Sequence, residues 1–341
     1  MKKTIAMLFS IAFAALTFAA CGAAPASSSS AAPAAPSTAV SASATAPAQS
    51  QAETPKIGLI QLMEHPSLDE IRTAIEAQLD SALGAGQYDY DYQNAQGDTS
   101  TISNICQKFV ASDVDVIIAI ATPAAQGAAA AVKGTDIPVI FSAVTDPVAA
   151  GLVGDLEKPD ANITGTSDAI PVSKIFDLAA ELTPDVQSYG LIYNTSEINS
   201  VSVIAETKAY LDEKGIAYTE SSVTATGEVQ TAAQNLLNKC DAIFAPIDNT
   251  VASAMPVLAS EAIKAQKPVY VAADSMVNDG GLATVGINYT NLGTQTAAMA
   301  IKVLQGADVA DIPVEVLKDN AVVVNPETAQ AIGVDVSQYA Q

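Results

Sequence analysis

The fold is decided by residues 114–144, VDVIIAIATPAAQGAAAAVKGTDIPVIFSAV. The apolar run Val114–Ala121 is typical of a central parallel strand. Thr122 before Pro123 indicates a helix cap followed by proline at the first helical position. A second apolar run, 137–144, follows the helix. Strand, helix and strand at this spacing predict parallel pairing through a right-handed crossover.

The same alternation extends on both sides of this stretch. Strand-like runs at 57–63 and 88–92 precede it, and the second half repeats the plan with runs at 189–193, 216–223, 242–245 and 269–273. The predicted fold class is therefore α/β, with two similar doubly wound parallel-sheet lobes joined by a multi-strand hinge. We assign 55–165 plus about 290–310 to the first lobe and 166–289 plus about 311–341 to the second.

The N-terminus has the three parts of an export signal. Lys2 and Lys3 precede an apolar run that ends at Ala20, so residues 1–20 are predicted to be a signal peptide. Cys21 stands where a lipoprotein signal places its lipid acceptor; the alternative is an ordinary signal that leaves a free thiol. Residues 21–54 contain almost nothing large to bury, which predicts a flexible tether.

The charge balance excludes nucleic-acid binding. Lys2 and Lys3 leave with the signal, so 13 of the 15 Lys and Arg face 37 Asp and Glu, a net charge of −24. Phosphate binding needs clustered cations, which this chain does not offer. Cys106 and Cys240 lie in apolar helical patterns, so buried core thiols are favoured over a disulfide.

Catalytic motifs are scarce. His65 is the only histidine, and there is no G-x-S-x-G elbow, P-loop, G-x-G-x-x-G turn or H-E-x-x-H helix. A two-carboxylate hydrolase stays open because acidic residues are abundant. The sequence therefore predicts a binding protein rather than an enzyme, without a cofactor or a metal.

Candidate binding residues follow the predicted strands. Ligands of open parallel sheets bind beyond the carboxyl ends of the strands. In the first lobe these positions hold His65, Thr122, Ala143, Thr145 and Asp146. In the second they hold Asn194, Glu197, Asn199, Asp248, Asn249 and Asp274.

A structural role is the alternative for most of these side chains. Thr122, Asp248 or Asn249 serves equally as a helix cap, and Asp146 before Pro147 is ordinary turn chemistry. As a binding site they suit an amino-acid-like zwitterion. Thr122, Ala143 and Thr145 would offer hydroxyl and N–H groups to a carboxylate, and Asp248 would pair with an ammonium.

At these loops the chain resembles the ABC-transporter substrate-binding proteins related to the tryptophan-importer component, within the type I periplasmic-binding-protein fold. The resemblance covers the chain from about Lys56 to its end. The matching stretches are EHPSLDEIRTAIEAQL from Glu64, NAQGD from Asn94, ATPAAQ from Ala121, IPVIFSAVTDPVAAGLV from Ile137, NITGTSDAIPV from Asn162, YNTSEINS from Tyr193, PIDNTV from Pro246 and VGINYTNLG from Val285.

The resemblance implies three crossover strands between the lobes, a ligand in the cleft, and a separate permease and ATPase as partners. Several family members take aromatic amino acids. The expected protein is a monomeric, extracytoplasmic lipoprotein, anchored to the membrane at Cys21, that closes on an amino-acid-like ligand and delivers it to an importer. A ligand-sensing receptor for a membrane signalling partner and a surface hydrolase are the alternatives.

Overall fold

The computed structural model of the protein describes residues 54–159, 162–318 and 320–339. The predicted signal peptide, 1–20, and the predicted tether, 21–54 with its Cys21, lie outside the described residues apart from Thr54. Within these ranges no helix combines the length and the hydropathy needed to cross a membrane.

Strands and helices alternate through the first half of the chain. The elements are β1 (Lys56–Gln61), α1 (Pro66–Leu83), β2 (Asp89–Asn94), α2 (Thr99–Ala111), β3 (Val116–Ile120), α3 (Thr122–Ala131), β4 (Val139–Ser142) and β5 (Ile163–Ser167).

The second half continues the alternation. Its elements are α4 (Val172–Leu182), β6 (Ser188–Asn194), α5 (Ile198–Lys214), β7 (Ala217–Val223), α6 (Val229–Leu237), β8 (Ala242–Ala245), α7 (Asn249–Ser253), α8 (Met255–Ala265), β9 (Val269–Val271), α9 (Asp274–Asn278) and β10 (Ala283–Ile287). The last part of the chain forms α10 (Tyr289–Leu304), β11 (Glu315–Val316), β12 (Asn320–Val324) and α11 (Pro326–Ile332).

Two six-stranded sheets organise these elements. The first has the order β11-β5-β4-β3-β1-β2 and the second β12-β10-β9-β8-β6-β7. We call the parts built on them lobe 1 and lobe 2. The strands pair in parallel except for β12, which runs antiparallel to β10. The predicted α/β fold with two parallel-sheet lobes is confirmed.

The centre of lobe 1 is β3, which lies in the 114–144 stretch on which the predicted fold is based. All five residues of β3 are buried between β1 and β4. A strand covered on both faces needs apolar side chains in succession, which explains its continuous VIIAI sequence. Helix α1 covers one face of this sheet, with Ile71, Ile75 and Leu79 fully buried at helical spacing.

The chain crosses between the lobes three times. It leaves lobe 1 after β5, returns after β10 so that α10 packs on α1, and crosses again between β11 and β12. Three crossings agree with the hinge implied by the family resemblance. The sequence placed residues from about 311 onward in lobe 2, but β11 pairs with β5 in lobe 1 because its two residues complete that sheet's edge.

The return of α10 to lobe 1 depends on close helix packing. A Cβ atom on Gly293 would lie 2.5 Å from the Ile71 carbonyl oxygen, so only glycine permits this approach. Thr290 at the start of α10 also donates from its backbone N–H to Glu70 on α1, at 2.9 Å. The second crossing is thereby fixed to lobe 1 directly after residue 288.

Candidate ligand-binding site

A cavity lies between the lobes, where the carboxyl ends of the two sheets face each other. It is lined from both lobes and is partly open to solvent. His65 Nε2 of lobe 1 lies 3.2 Å from Asn249 Oδ1 of lobe 2. The hydroxyl groups of Ser67 and Ser275 also contact each other across the cleft. The sheets therefore meet at the edge where parallel sheets bind ligands.

Buried charge near this cavity is one-sided. Among the described residues the buried carboxylates are Asp168, Glu197 and Asp248, whereas none of the described Lys or Arg side chains is buried. A buried carboxylate without a cation needs hydrogen-bond donors to offset its lost hydration. The number of protein donors around each carboxylate therefore distinguishes a structural carboxylate from one that has an oxygen available to a ligand.

Glu197 is satisfied by the protein itself. Its Oε2 accepts from the Asn249 backbone N–H at 3.1 Å, from Asn249 Nδ2 at 2.5 Å and from Asn199 Nδ2 at 3.3 Å. Its Oε1 accepts from the backbone N–H and the hydroxyl of Thr250 at 3.0 and 2.9 Å. We call these four residues the Glu197 cluster. It joins the loop after β6 to the start of α7.

Asp248 is also occupied by protein donors. It is the N-cap of α7: Oδ1 accepts from the Val251 backbone N–H at 2.8 Å, and Oδ2 accepts from the Asn194 backbone N–H at 2.6 Å. Burial, and next the negative charge of Glu197, raises the pKa of Asp248 to about 7. Through Oδ2, Asp248 connects the exit of β8 to that of β6.

Asp168 differs from these two carboxylates. It follows β5 directly, at the first crossing, and the Thr145 hydroxyl donates to its Oδ1 at 2.8 Å. Its Oδ2 is buried with no protein donor in hydrogen-bonding geometry. Burial raises the pKa of Asp168 to about 6. The carboxyl group lines the cavity beside Tyr289 of the second crossing, whose hydroxyl interacts with it and opposes the rise in its pKa. Oδ2, without a donor in hydrogen-bonding geometry, is the oxygen that remains for a ligand.

His65 has a defined tautomer. Glu197 accepts from Asn249 Nδ2, so the amide presents its Oδ1 to His65, and His65 Nε2 must donate. Nδ1 is then an acceptor, buried and without a partner. Desolvation by burial lowers the pKa of His65, in keeping with a neutral ring. A second acceptor, Asn199 Oδ1, is also buried and unpartnered on this cavity.

Donors for an anionic group come from the start of α1. This 18-residue helix begins at Pro66 without a side-chain cap, and Ser67 and Leu68 line the cavity. The first backbone N–H groups of a helix have no partner within it and favour negative charge. A carboxylate in the cavity would find these N–H groups unoccupied.

The rest of the lining is apolar. Leu68, Ile247, Ala252 and Met276 contribute hydrocarbon surface from both lobes, and Tyr289 is the aromatic residue among the lining residues. This surface suits a flat or branched apolar side chain.

The structure brings five of the sequence-predicted site residues to the cavity and leaves six outside its lining. The five are His65, Ala143, Asn199, Asp248 and Asn249. The six, all close to strand exits, are Thr122, Thr145, Asp146, Asn194, Glu197 and Asp274.

The residues outside the lining have assigned partners with one exception. Thr145 holds Asp168, Asn194 and Glu197 belong to the network just described, and Asp274 accepts from the Ser275 backbone N–H at 2.8 Å. Asp146 accepts from Ser202 of lobe 2 at 2.6 Å, a further bond across the cleft.

Thr122 is the exception, because its buried hydroxyl has no partner. The sequence predicted it as a helix cap, but Ala121 is the N-cap of α3 and Thr122 is the first helical residue. Ala121 and Ala143, at the exits of β3 and β4, have φ values of 78° and 55°. Such backbone is unfavourable for alanine and is typical of functional sites.

Sequence reasoning missed Asp168 and Tyr289. The strand that precedes Asp168, ITGTS, carries no apolar run, so its exit loop was not among the candidates. A possible signal was the TSDAIPV stretch, which carries part of the family resemblance.

Among the described residues, no group of three or more His, Cys, Asp or Glu side chains has the arrangement of a metal site. Cys106 and Cys240 are buried free thiols, as predicted. Burial raises the pKa of Cys106 to about 12, so this thiol is unreactive.

Comparison with known proteins identifies the family. The family model for ABC transporter substrate binding proteins matches residues 56–339. The chain is 40% identical over 278 residues to a tyrosine-binding protein of Clostridioides difficile strain R20291, covering 81% of this chain and 80% of that protein. The prediction of a binding protein rather than an enzyme is confirmed by this family.

Two solved structures of similar proteins differ in their ligand state. An ABC domain from Streptococcus pneumonia in complex with L-Trp has a TM-score of 0.80, with 40% identity, 83% of this chain and 96% of that chain covered. The ligand-free, open structure of a Clostridium difficile substrate-binding protein has the same identity and coverage but a TM-score of 0.64.

The higher TM-score is thus with the structure that has a bound ligand, and the lower one is with the ligand-free, open structure. The lobes of this chain are closed over the cleft, in agreement with the hydrogen bonds that cross it. The chain belongs to the family of ABC transporter substrate-binding proteins.

Proposed function

We propose that this protein is the extracytoplasmic, lipid-anchored receptor of an ABC importer for an aromatic amino acid such as tryptophan or tyrosine. The observation that carries the proposal is the unpaired Oδ2 of Asp168, a buried carboxylate oxygen in a site with no buried protein cation. A ligand ammonium would supply both the charge and the donor.

The rest of the cavity supports the same ligand class. The apolar lining offers a surface to an aromatic side chain. Relatives at 40% identity include a protein named for tyrosine binding and a structure with L-Trp. The sequence-based hypothesis gave the ammonium to Asp248; we assign it to Asp168 because both Asp248 oxygens are occupied.

Closure would follow from binding at the hinge. Asp168 and Tyr289 lie at two of the three crossings, so a ligand that contacts them also contacts the segments that rotate. A ligand shifts such an equilibrium by its differential affinity for the closed state. The closed receptor would then dock on a membrane permease that is driven by an ATPase, as the family implies.

Membrane attachment is proposed on the N-terminal sequence. Cys21 follows Ala19 and Ala20 at the end of the apolar run, and the Ala, Ser and Pro residues of 22–54 would let the folded part reach a permease. Mass spectrometry of the cell-derived protein tests this proposal. We expect a diacylglyceryl group on an N-terminal Cys21; an unmodified Cys21 would contradict the anchor.

Isothermal titration calorimetry of the mature protein with L-tryptophan, L-tyrosine and L-phenylalanine tests the ligand class. We expect binding of at least one, and loss of that binding in Asp168→Asn. Asp274→Asn is the matched control, because Asp274 lies at another strand exit but does not line the cavity. Absence of binding by all three amino acids would contradict the proposal.

A further inference from the structure

The cavity has two polar ends that one ammonium group cannot bridge. In lobe 1, Asp168 follows β5 and His65 follows β1, three strand spacings apart; in lobe 2, Tyr289 follows β10 and Asn199 follows β6, again three spacings apart. At about 4.8 Å per spacing, roughly 14 Å of sheet edge separates the hinge end from what we call the His65 end. A hydrogen bond spans about 3 Å.

Both ends carry unsatisfied acceptors. Asp168 Oδ2 occupies the hinge end, and His65 Nδ1 and Asn199 Oδ1 occupy the His65 end. Buried acceptors without donors cost free energy, so a ligand that brings a donor to each end binds more tightly than one that serves a single end. An α-ammonium at Asp168 leaves the His65 end to the ligand side chain.

The acceptor role of His65 is fixed by a chain of contacts. Glu197 accepts from Asn249 Nδ2, which directs Asn249 Oδ1 to His65 Nε2 and leaves the Nδ1 lone pair unused. The side-chain N–H and O–H donors of the Glu197 cluster are all engaged within lobe 2, so none of them is free for Nδ1. The cavity is also lined by apolar side chains from both lobes, Leu68 and Ile247.

Resting on the proposed function, we infer that His65 is a specificity-determining residue that selects aromatic amino acids with a hydrogen-bond donor on the ring, an indole N–H or a phenol O–H, over phenylalanine. The ring lies along the apolar lining, and its donor reaches Nδ1 of His65. Phenylalanine fills the same space but leaves Nδ1 unpaired. A site built around a substrate donor rejects the analogue that lacks it.

Two substitutions of His65 separate this role from the bond across the cleft. In His65→Gln, the side-chain Nε2 can keep the donor to Asn249 while the acceptor at the Nδ1 position is lost. In His65→Asn, the side-chain Oδ1 can replace the Nδ1 acceptor while the donor to Asn249 is lost. The first variant therefore affects ring recognition and the second affects closure.

Titration calorimetry of the full mature chain with L-tyrosine and L-phenylalanine tests the inference, with L-tryptophan and 1-methyl-L-tryptophan as the indole pair. We expect wild type to prefer the ligand with the ring donor by roughly tenfold or more. We expect His65→Gln to reduce this preference to less than about threefold, and His65→Asn to keep it while weakening both ligands together.

Equal affinity of the wild-type protein for tyrosine and phenylalanine would overturn the inference without any variant. An equal loss of affinity for both ligands in His65→Gln would also overturn it. In that case Nδ1 would contact the ammonium or the carboxylate of the ligand rather than its ring. In either case amino acids still bind, so the proposed function stands. If no amino acid binds wild type, the proposed function itself fails.

Discussion

Two regions of the cleft hold buried carboxylates but differ in the number of hydrogen-bond donors that surround them. The Glu197 cluster surrounds its carboxylate with five protein donors, whereas Asp168 at the hinge has one donor in full hydrogen-bonding geometry, a looser interaction with the Tyr289 hydroxyl, and one unpaired oxygen. Both groups are buried, and both follow a strand of a parallel sheet. Burial and position alone therefore do not identify a binding residue, whereas unfilled hydrogen-bonding capacity does.

The largest expected effect is a loss of stability in the Glu197 cluster. Glu197→Gln places an amide NH2 against backbone and side-chain N–H donors, so at least one buried donor loses its acceptor. We expect the free energy of unfolding to fall by about 3 kcal/mol or more. Urea denaturation of the ligand-free protein measures this change, and Glu220→Gln, at an exposed glutamate of lobe 2, is the control. A loss below about 0.5 kcal/mol would mean that the cluster does not stabilise lobe 2.

The second prediction concerns the affinity for an amino acid at Asp168. Asp168→Asn keeps the acceptor for Thr145 but replaces the unpaired oxygen with an NH2 group that opposes an ammonium. We expect about a hundredfold weaker amino-acid binding, since truncating one partner of a buried charge pair costs about 2–5 kcal/mol. Calorimetry measures the affinity. Thermal unfolding should show an unchanged or raised melting temperature, because the substitution removes a buried charge.

The third prediction concerns the pH dependence of ligand binding at Asp168. In the empty protein the pKa of Asp168 is about 6, so below that pH the ligand ammonium must displace a proton. We expect the dissociation constant to be flat above pH 7 and to rise by up to about tenfold per pH unit below pH 6. Calorimetry between pH 8 and pH 5 checks this, and Asp168→Asn should abolish the dependence.

In the absence of ligand, the stability of the fold should rise as the pH falls, although the affinity for the ligand falls. Asp168 and Asp248 have pKa values raised in the folded state, to about 6 and about 7, against an ordinary value near 3.8. A raised carboxyl pKa means that the folded state holds the proton more tightly. Its stabilising effect is therefore complete below the unfolded pKa and is lost as pH rises through the folded value. The empty protein should melt at a higher temperature at pH 5 than at pH 8.

The smallest effect concerns a bond across the cleft at its rim. Ser202 donates to Asp146 at 2.6 Å, between lobe 2 and lobe 1, without contacting the cavity. Ser202→Ala should favour the open state and weaken ligand binding by about threefold, with a mainly faster dissociation rate. Ser260→Ala, an exposed serine of lobe 2, should leave the affinity unchanged. A stopped-flow dissociation rate equal to wild type would show that this bond does not hold the closed state.

The sequence predicted the twin lobes because their strands are continuous apolar runs. It missed β5, in which Thr164 and Thr166 are buried. The Thr166 hydroxyl lies 2.8 Å from that of Thr296 on α10, and Thr164 donates to the Ile312 carbonyl oxygen at 2.8 Å. Partners that are more than 100 residues away make these polar strand positions stable, and no local pattern shows them.

The same limit applies to the site. His65, Asn199 and Asn249 were predicted because they follow recognisable strands, and they line the cavity. Asp168 was not, because its role depends on a crossover between lobes that a local pattern does not locate. Likewise, the sequence could not distinguish Asp248 from Asp168: both are aspartates after strands, and only the three-dimensional set of donors separates them.

The most direct test of the account compares L-tyrosine with 3-(4-hydroxyphenyl)propionate, which lacks only the amino group, by calorimetry on the wild-type mature protein at pH 7.5. If the unpaired oxygen of Asp168 is reserved for a ligand ammonium, the analogue should bind about a hundredfold more weakly than tyrosine. Equal affinities for the two compounds would contradict the account, because the carboxylate at the hinge would then play no part in recognition.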